Sequence, residues 1–208
     1  MIENKQQTLW KGPFGDAYAR RNEAFDHQLE EQAWCKMTAC LPPAKWNSVL
    51  ECGSNIGRNL LTLRRLRPHL DLSLIEIHAG SYATAVDAIG PCSHFNGAIV
   101  DAPFPASSFD LVFTCGVLIH VAPRDLLDNC RRIVDWSRRY ILIVEYFSTS
   151  QAEIEYRGLQ HQLFKRDFGS FFLDEFPLRC LDFGFLWGRV YGGGGFDDVT
   201  FWVFEKEI

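Results

Sequence analysis

The sequence predicts an α/β domain with a doubly wound, mostly parallel sheet, and three observations carry that prediction. Ser48, Val49 and Leu50 form an apolar strand that runs through Glu51 into a turn bearing Gly53 and Gly57. Leu60, Leu61, Leu63 and Leu66 continue it as a helix, and strand, tight turn and helix in that order build the nucleotide-side cradle of such domains. Strand and helix candidates then alternate as far as Glu145, which implies parallel strands with helices between them. Finally, a length of 208 residues, 47% of them hydrophobic, suits one domain with a single sizeable core.

Residues up to about Trp46 are helical in pattern, punctuated by Gly12, Pro13 and Gly15, and Pro42-Pro43 closes that section. Strands are expected at residues 48–51, 71–77, 94–99, 110–114 and 140–145, with helices at 58–66, 81–88 and 124–136. Pro123 stands just before the last helix, where its missing N–H costs nothing. Residues 147–180 form a long insert of mixed aromatic and charged character. Two apolar segments, 181–186 and 199–204, are separated by the glycines at 192–195 and read as a terminal antiparallel hairpin.

Composition narrows the function classes. A formal net charge of −5 argues against a nucleic-acid backbone as the main partner, while local basic clusters still permit a small anionic substrate. The seven cysteines (Cys35, Cys40, Cys52, Cys92, Cys115, Cys130 and Cys180) are odd in number, form no C-x-x-C and fall partly inside apolar runs. They read as reduced thiols in a cytoplasmic protein, too dispersed for a zinc site. No basic start precedes an apolar stretch, so no signal peptide is expected, and no run approaches the roughly 20 apolar residues of a membrane span. The expected protein is cytoplasmic, a monomer or homodimer, with a small-molecule substrate and no metal, membrane or nucleic-acid partner.

The turn reads E-x-G-x-x-x-G rather than the G-x-G-x-x-G of dinucleotide sites. Gly53 lets the backbone turn sharply beside a ligand, and Gly57 lets helix and turn pack tightly, although many α/β proteins use such a turn as a plain bend. The stretch VLECGSNIGRN resembles the first motif of class I methyltransferases, which hold S-adenosylmethionine. The resemblance implies that cofactor and a Rossmann-like, seven-stranded class I methyltransferase sheet with helices on both faces and a terminal antiparallel hairpin. It makes Glu51, Gly53, Asn55 and Gly57 cofactor-side residues. Asn55 stands where glycine is usual, and asparagine tolerates a left-handed backbone better than most residues.

Glu76, 25 positions beyond Glu51, ends the second strand, where an acid can accept from both ribose hydroxyls; alternatively it caps the following helix. Ile77 can lie against the adenine face. NGAIVDAPFPASSFDLVFTCGVLIHV looks like the central block of the same family, without the usual acid near Ala98. Backbone groups of Ala98 and Ile99 are left to meet the adenine amine, with Asp101 the nearest acid. Cys115 and Gly116 are expected beneath the methionine part. Tyr18 and Arg20 or Arg21, in the N-terminal segment, can close over the cofactor.

WKGPFGDAYARRN, YRG at 156–158, LFKRDF at 163–168 and LDFGF at 181–185 occur together with CGSNIGRN. That set resembles the pseudaminic acid biosynthesis-associated methylases and spans almost the whole chain. It implies one methyltransferase-fold domain over 1–208, with 1–46 an N-terminal helical lid and 147–180 a substrate-side insert. It also implies a substrate linked to a nine-carbon acidic sugar or a nucleotide-activated relative. Arg157, Lys165 and Arg166 can meet its carboxylate or phosphate, or form surface ion pairs with Asp167, Asp174 and Glu175.

A hydroxyl or amine acceptor benefits from a general base, and His120 and Glu145 are the candidates. The plain alternatives are a helix-opening histidine bonded to backbone and a strand-end acid that ties down a loop. Tyr156 joins the catalytic candidates because its ring, with Trp10, Phe14, Tyr146 and Phe147, can stabilise a sulfonium; such rings also serve simply as core. Two rival functions stay open. One is a lyase of azetidine-2-carboxylate synthase type, which cyclises S-adenosylmethionine and releases methylthioadenosine. The other is a non-enzymatic cofactor binder, against which the long insert counts.

Overall fold

The computed structural model describes residues 5–22 and 24–207, so residues 1–4 and 23 of the expected N-terminal lid lie outside the described residues. Three helices open the chain: α1 (Lys5–Lys11), α2 (Pro13–Arg21) and α3 (His27–Thr38). Asp26 caps α3, its carboxylate accepting from the amides of Gln28 and Leu29. The alternating section follows as β1 (Ser48–Cys52), α4 (Arg58–Leu66), β2 (Asp71–Glu76), α5 (Ala79–Ile89), β3 (Ser93–Asn96), β4 (Phe109–Cys115), α6 (Pro123–Trp136) and β5 (Ser137–Glu145). The remainder is β6 (Ala152–Tyr156), β7 (Leu159–Lys165), α7 (Phe168–Glu175), β8 (Leu178–Leu186), α8 (Gly188–Tyr191) and β9 (Val199–Lys206).

The main sheet has the order β3-β2-β1-β4-β5-β9-β8. Its first five strands are parallel, and β9 runs antiparallel to both β5 and β8. Strand periodicity divides the core. Val49, Leu72, Leu74, Phe113, Leu142 and Val203 face α3, α4 and α5, where Trp34 meets Phe113 edge-on at 5.0 Å. Their neighbours Leu50, Val112, Ile141, Ile143 and Phe204 face α6 and α7, where Phe172 stacks on Phe204 at 5.6 Å. Helices therefore cover both faces, as the sequence predicts. Among the described residues no helix is long and apolar enough to cross a membrane.

One expectation needs revision and two gain detail. The third strand stops at Asn96, because the amides of Asn96 and Gly97 turn to the Glu76 carbonyl and residues 99–101 coil into a 3-10 turn. Within the insert, β6 and β7 pair as a separate antiparallel hairpin across Arg157 (φ 54°) and Gly158 (φ 78°). β8 and β9 pair as the expected terminal antiparallel hairpin, and the glycines at 192–195 lie in its long connection. Gly194 lies against the α3 backbone, where a Cβ would come within 2.6 Å of the Glu30 amide nitrogen.

Candidate active site

A cavity of about 770 Å³ opens at the carboxyl ends of β1, β2 and β4, the edge where ligands bind in open α/β sheets. Its first wall is the turn after β1. Gly53 has φ 80°, and a Cβ there would sit 2.5 Å from Val117 Cγ2. Asn55 takes the left-handed conformation, φ 48°. Gly57, also left-handed, lies off the cavity lining and packs against Ala85 and Ile89 of α5, leaving no room for a side chain. Glu51 is fully buried and is not a lining residue; Asn59 Nδ2 donates to its Oε1 at 2.7 Å, and burial pushes the carboxyl up to about 8.

Glu76 lines the cavity from the end of β2. Its two oxygens accept from the amides of Asn55 (2.7 Å) and His78 (2.8 Å), which hold the carboxylate in one orientation and leave a lone pair on each oxygen. Burial raises its pKa, and those amide bonds oppose the rise. The cap of α5 is supplied instead by His78, whose Nδ1 accepts from Ser81 N at 3.1 Å. Ile77, Ala98 and Ile99 add an apolar strip, and Cys115 and Gly116 (φ 68°) lie at the end of β4.

The chain beyond β4 is pinned by Glu145. This fully buried carboxylate accepts from Thr114 Oγ1 and from the amides of Val117, Leu118 and Ile119 at 3.0 to 3.2 Å. It lies off the cavity lining, and burial lifts it to about 7. Its four hydrogen bonds with Thr114 and the loop amides, away from the cavity lining, make Glu145 an acid that ties down the loop.

His120 closes that loop and does line the cavity. Its Nδ1 lies 2.6 Å from the Gln162 carbonyl of β7; a carbonyl only accepts, so Nδ1 carries the proton and Nε2 keeps its lone pair. Burial pushes its pKa down to about 4. The ring is packed between Trp10 of α1 (4.8 Å) and Tyr156 of β6 (5.1 Å). Phe14 meets Tyr156 in turn, and Gln6 Nε2 donates to the His161 carbonyl, so the N-terminal helices rest on the β6–β7 hairpin. They also rest on the cofactor-side wall, where Asp16 pairs with His78 at 3.2 Å and Gly15 fits against the same ring. Tyr18 lines the cavity with its phenol pKa raised by burial.

A side cavity of about 280 Å³ shares Tyr146, Tyr156, Leu163 and Asp197 with the main one and adds Lys165, Glu155 and Asp198. The Lys165 ammonium stands 4.9 Å over the Tyr146 ring. The other expected cations are elsewhere. Arg21 lies over the Tyr18 ring, Arg157 covers Tyr156 from the hairpin turn, and Arg166 is held by Gln151 and the Phe171 ring. None of the three lines either cavity. Sequence reading missed Ser54, Arg58 and Asn59, which line the cavity inside the first motif. Ser54 Oγ, Arg58 Nη1 and Asn59 Oδ1 are buried without a hydrogen-bond partner, as is Glu51 Oε2. A polar ligand that presents both acceptors and donors fits this set, and the turn that Gly53 allows gives it room.

Residues 50–136 match the family profile described as "Methyltransferase domain". That match covers the first-motif turn, Glu76 and the β4 end. The fold is that of the class I methyltransferases. The 1,6-didemethyltoxoflavin-N1-methyltransferase of Burkholderia thailandensis, solved with 1,6-didemethyltoxoflavin and S-adenosylhomocysteine, superposes with a TM-score of 0.74 at 13% identity, over 97% of this chain and 87% of that one. The magnesium protoporphyrin IX methyltransferase of Synechocystis PCC 6803, solved with S-adenosylmethionine, gives 0.70 at 11% identity over the full length of both chains. A SAM-dependent methyltransferase of Leishmania major gives 0.69 at 16% identity, over 98% of this chain and 87% of that one. No curated protein matches the sequence. The segment that matches the family profile thus sits in a fold shared with enzymes solved with S-adenosylmethionine or S-adenosylhomocysteine.

Proposed function

We propose that the chain is an S-adenosylmethionine-dependent methyltransferase acting on a small polar metabolite, an acidic sugar of the pseudaminic acid type or a nucleotide-activated relative. The observation that carries the cofactor half is the buried, unpartnered set of Ser54 Oγ, Arg58 Nη1 and Asn59 Oδ1 beside a Glu76 carboxylate held by two amides. One molecule with an amino-acid head group and a ribose diol meets both. Bound S-adenosylmethionine supplies a methyl group activated on a sulfonium centre.

The chain's own residues align the acceptor, exclude water and take a proton. Trp10, Tyr18, Tyr146 and Tyr156 bring π-faces to the cavity, which favour a cation and keep water out. Residues 5–21 serve as the lid and the β6–β7 hairpin as the acceptor-side wall. His120 Nε2 accepts the proton of a hydroxyl or amine, with the Gln162 carbonyl holding the ring's tautomer. Lys165 supports an acidic acceptor, and Glu155, Asp197 and Asp198 beside it can accept from sugar hydroxyls.

The test is mass spectrometry after incubating the protein with S-adenosylmethionine, alone and with CMP-activated pseudaminic acid derivatives. S-adenosylhomocysteine and an acceptor heavier by one methylene, formed together and only with acceptor, are expected. Methylthioadenosine formed without acceptor, above spontaneous breakdown, would replace this reading with the lyase.

A further inference from the structure

Arg58 opens α4 and is the cation of the first-motif turn that lines the cavity. Three surroundings fix its guanidinium. Nε lies 3.0 Å from Oε1 of Glu30, a fully buried carboxylate that also meets Arg65 at 3.4 Å. The plane stacks on Phe25 at 3.8 Å and approaches Phe196 at 5.9 Å. On its remaining side is Gly195, where a Cβ would fall 2.0 Å from Nη1. The glycine run between β8 and β9 therefore makes space for this side chain. After all this Nη1 remains buried with no partner, a donor left unused where donors are normally satisfied. The other arginines on the lining, Arg131 and Arg132, come from α6, which packs against residues 99–101.

Given the cofactor reading above, we infer that Arg58 is the residue that recognises the amino-acid carboxylate of the cofactor. It sets the cavity's preference for ligands bearing that group over the truncated nucleoside. A guanidinium offers a planar fork to a carboxylate, and the α4 amino terminus adds positive potential at the same place. Ser54 Oγ and Asn59 Oδ1 are unpartnered atoms of the same motif on the cavity lining, and they suit the adjoining ammonium. Glu30 and Gly195 act as positioning residues, one orienting the guanidinium and the other leaving it room.

Isothermal titration with S-adenosylhomocysteine and with 5′-methylthioadenosine, which lacks the amino-acid moiety, separates the possibilities. The wild type is expected to prefer S-adenosylhomocysteine. Arg58→Gln should weaken that ligand by roughly 30- to 100-fold, the scale of a lost charge-assisted pair, while methylthioadenosine changes by less than about threefold. Arg58→Lys keeps the Glu30 pairing and should lose about tenfold for S-adenosylhomocysteine alone, which decides the matter if the glutamine variant does not fold. Equal losses for both ligands, or no loss for S-adenosylhomocysteine, would overturn the assignment to Arg58 and leave the cofactor reading standing. A wild type that binds neither ligand would overturn both.

Discussion

Glu51 gives the sharpest test of how the first-motif floor is built. Its carboxyl is fully buried, accepts one hydrogen bond from Asn59 and is pushed by burial from the usual 4.5 to about 8. A raised folded-state value means that the stabilisation is complete below pH 4.5 and is lost as pH rises through about 8. At about 1.4 kcal/mol per pH unit, the unfolded chain gains about 3 kcal/mol from ionisation by pH 7 and about 5 kcal/mol by pH 8 and beyond. Glu51→Gln keeps the shape and the acceptor for Asn59 but cannot ionise. Urea unfolding without ligand, from pH 5 to pH 8, should show the variant gaining about 3–4 kcal/mol on the wild type across that range. Glu145 and His120 titrate in both proteins and cancel from the difference. If the two stability curves run parallel, Glu51 ionises freely in the folded protein and the reasoning fails.

Three further outcomes are expected. His120→Asn should lower turnover by roughly 10²- to 10⁴-fold for a hydroxyl or amine acceptor while S-adenosylhomocysteine titrates as in wild type. Because burial holds His120 neutral down to about 4, the wild-type rate should show no ionisation limb near pH 6.5; one that vanished in His120→Asn would contradict the lowered pKa and leave His120 as the base. Gly53→Ala places a methyl 2.5 Å from Val117 Cγ2 at φ 80°, and denaturant unfolding should register a loss of about 1–3 kcal/mol. Asp26→Ala removes the cap of α3 and should cost about 1 kcal/mol with an unchanged denaturant slope.

The parts legible in the sequence are those whose cause is local. Strand, turn and helix at residues 48–66 follow from periodicity and two glycines, and Asn55 adopts the left-handed backbone for which its residue type suits it. The β6–β7 hairpin also had a signal. Ala152, Ile154 and Tyr156 alternate with Glu153 and Glu155, and Arg157-Gly158 forms a two-residue turn with both φ positive. What could not be read depends on distant partners. Arg58 is an ordinary first-turn arginine until Glu30 and Phe25, in and just before α3, and Gly195 arrive from two other segments. Glu145 and His120 look alike as strand-end and loop polar groups. Only the three loop amides around one carboxylate and the Gln162 carbonyl beside the other's ring tell them apart.

The place of β9 between β5 and β8 also governs the order in which the molecule can be assembled. A chain made from its amino end produces β1 to β5 first, leaving the β5 edge at Tyr140 to Glu145 as a row of open backbone groups. β8 follows after the β6–β7 hairpin and α7 and finds no neighbour in the main sheet, since its whole ladder is to β9. Synthesis of residues 199–206 then closes both gaps at once. The nascent protein therefore carries an exposed strand edge until that segment emerges, and β8 and β9 join the sheet in a single late event.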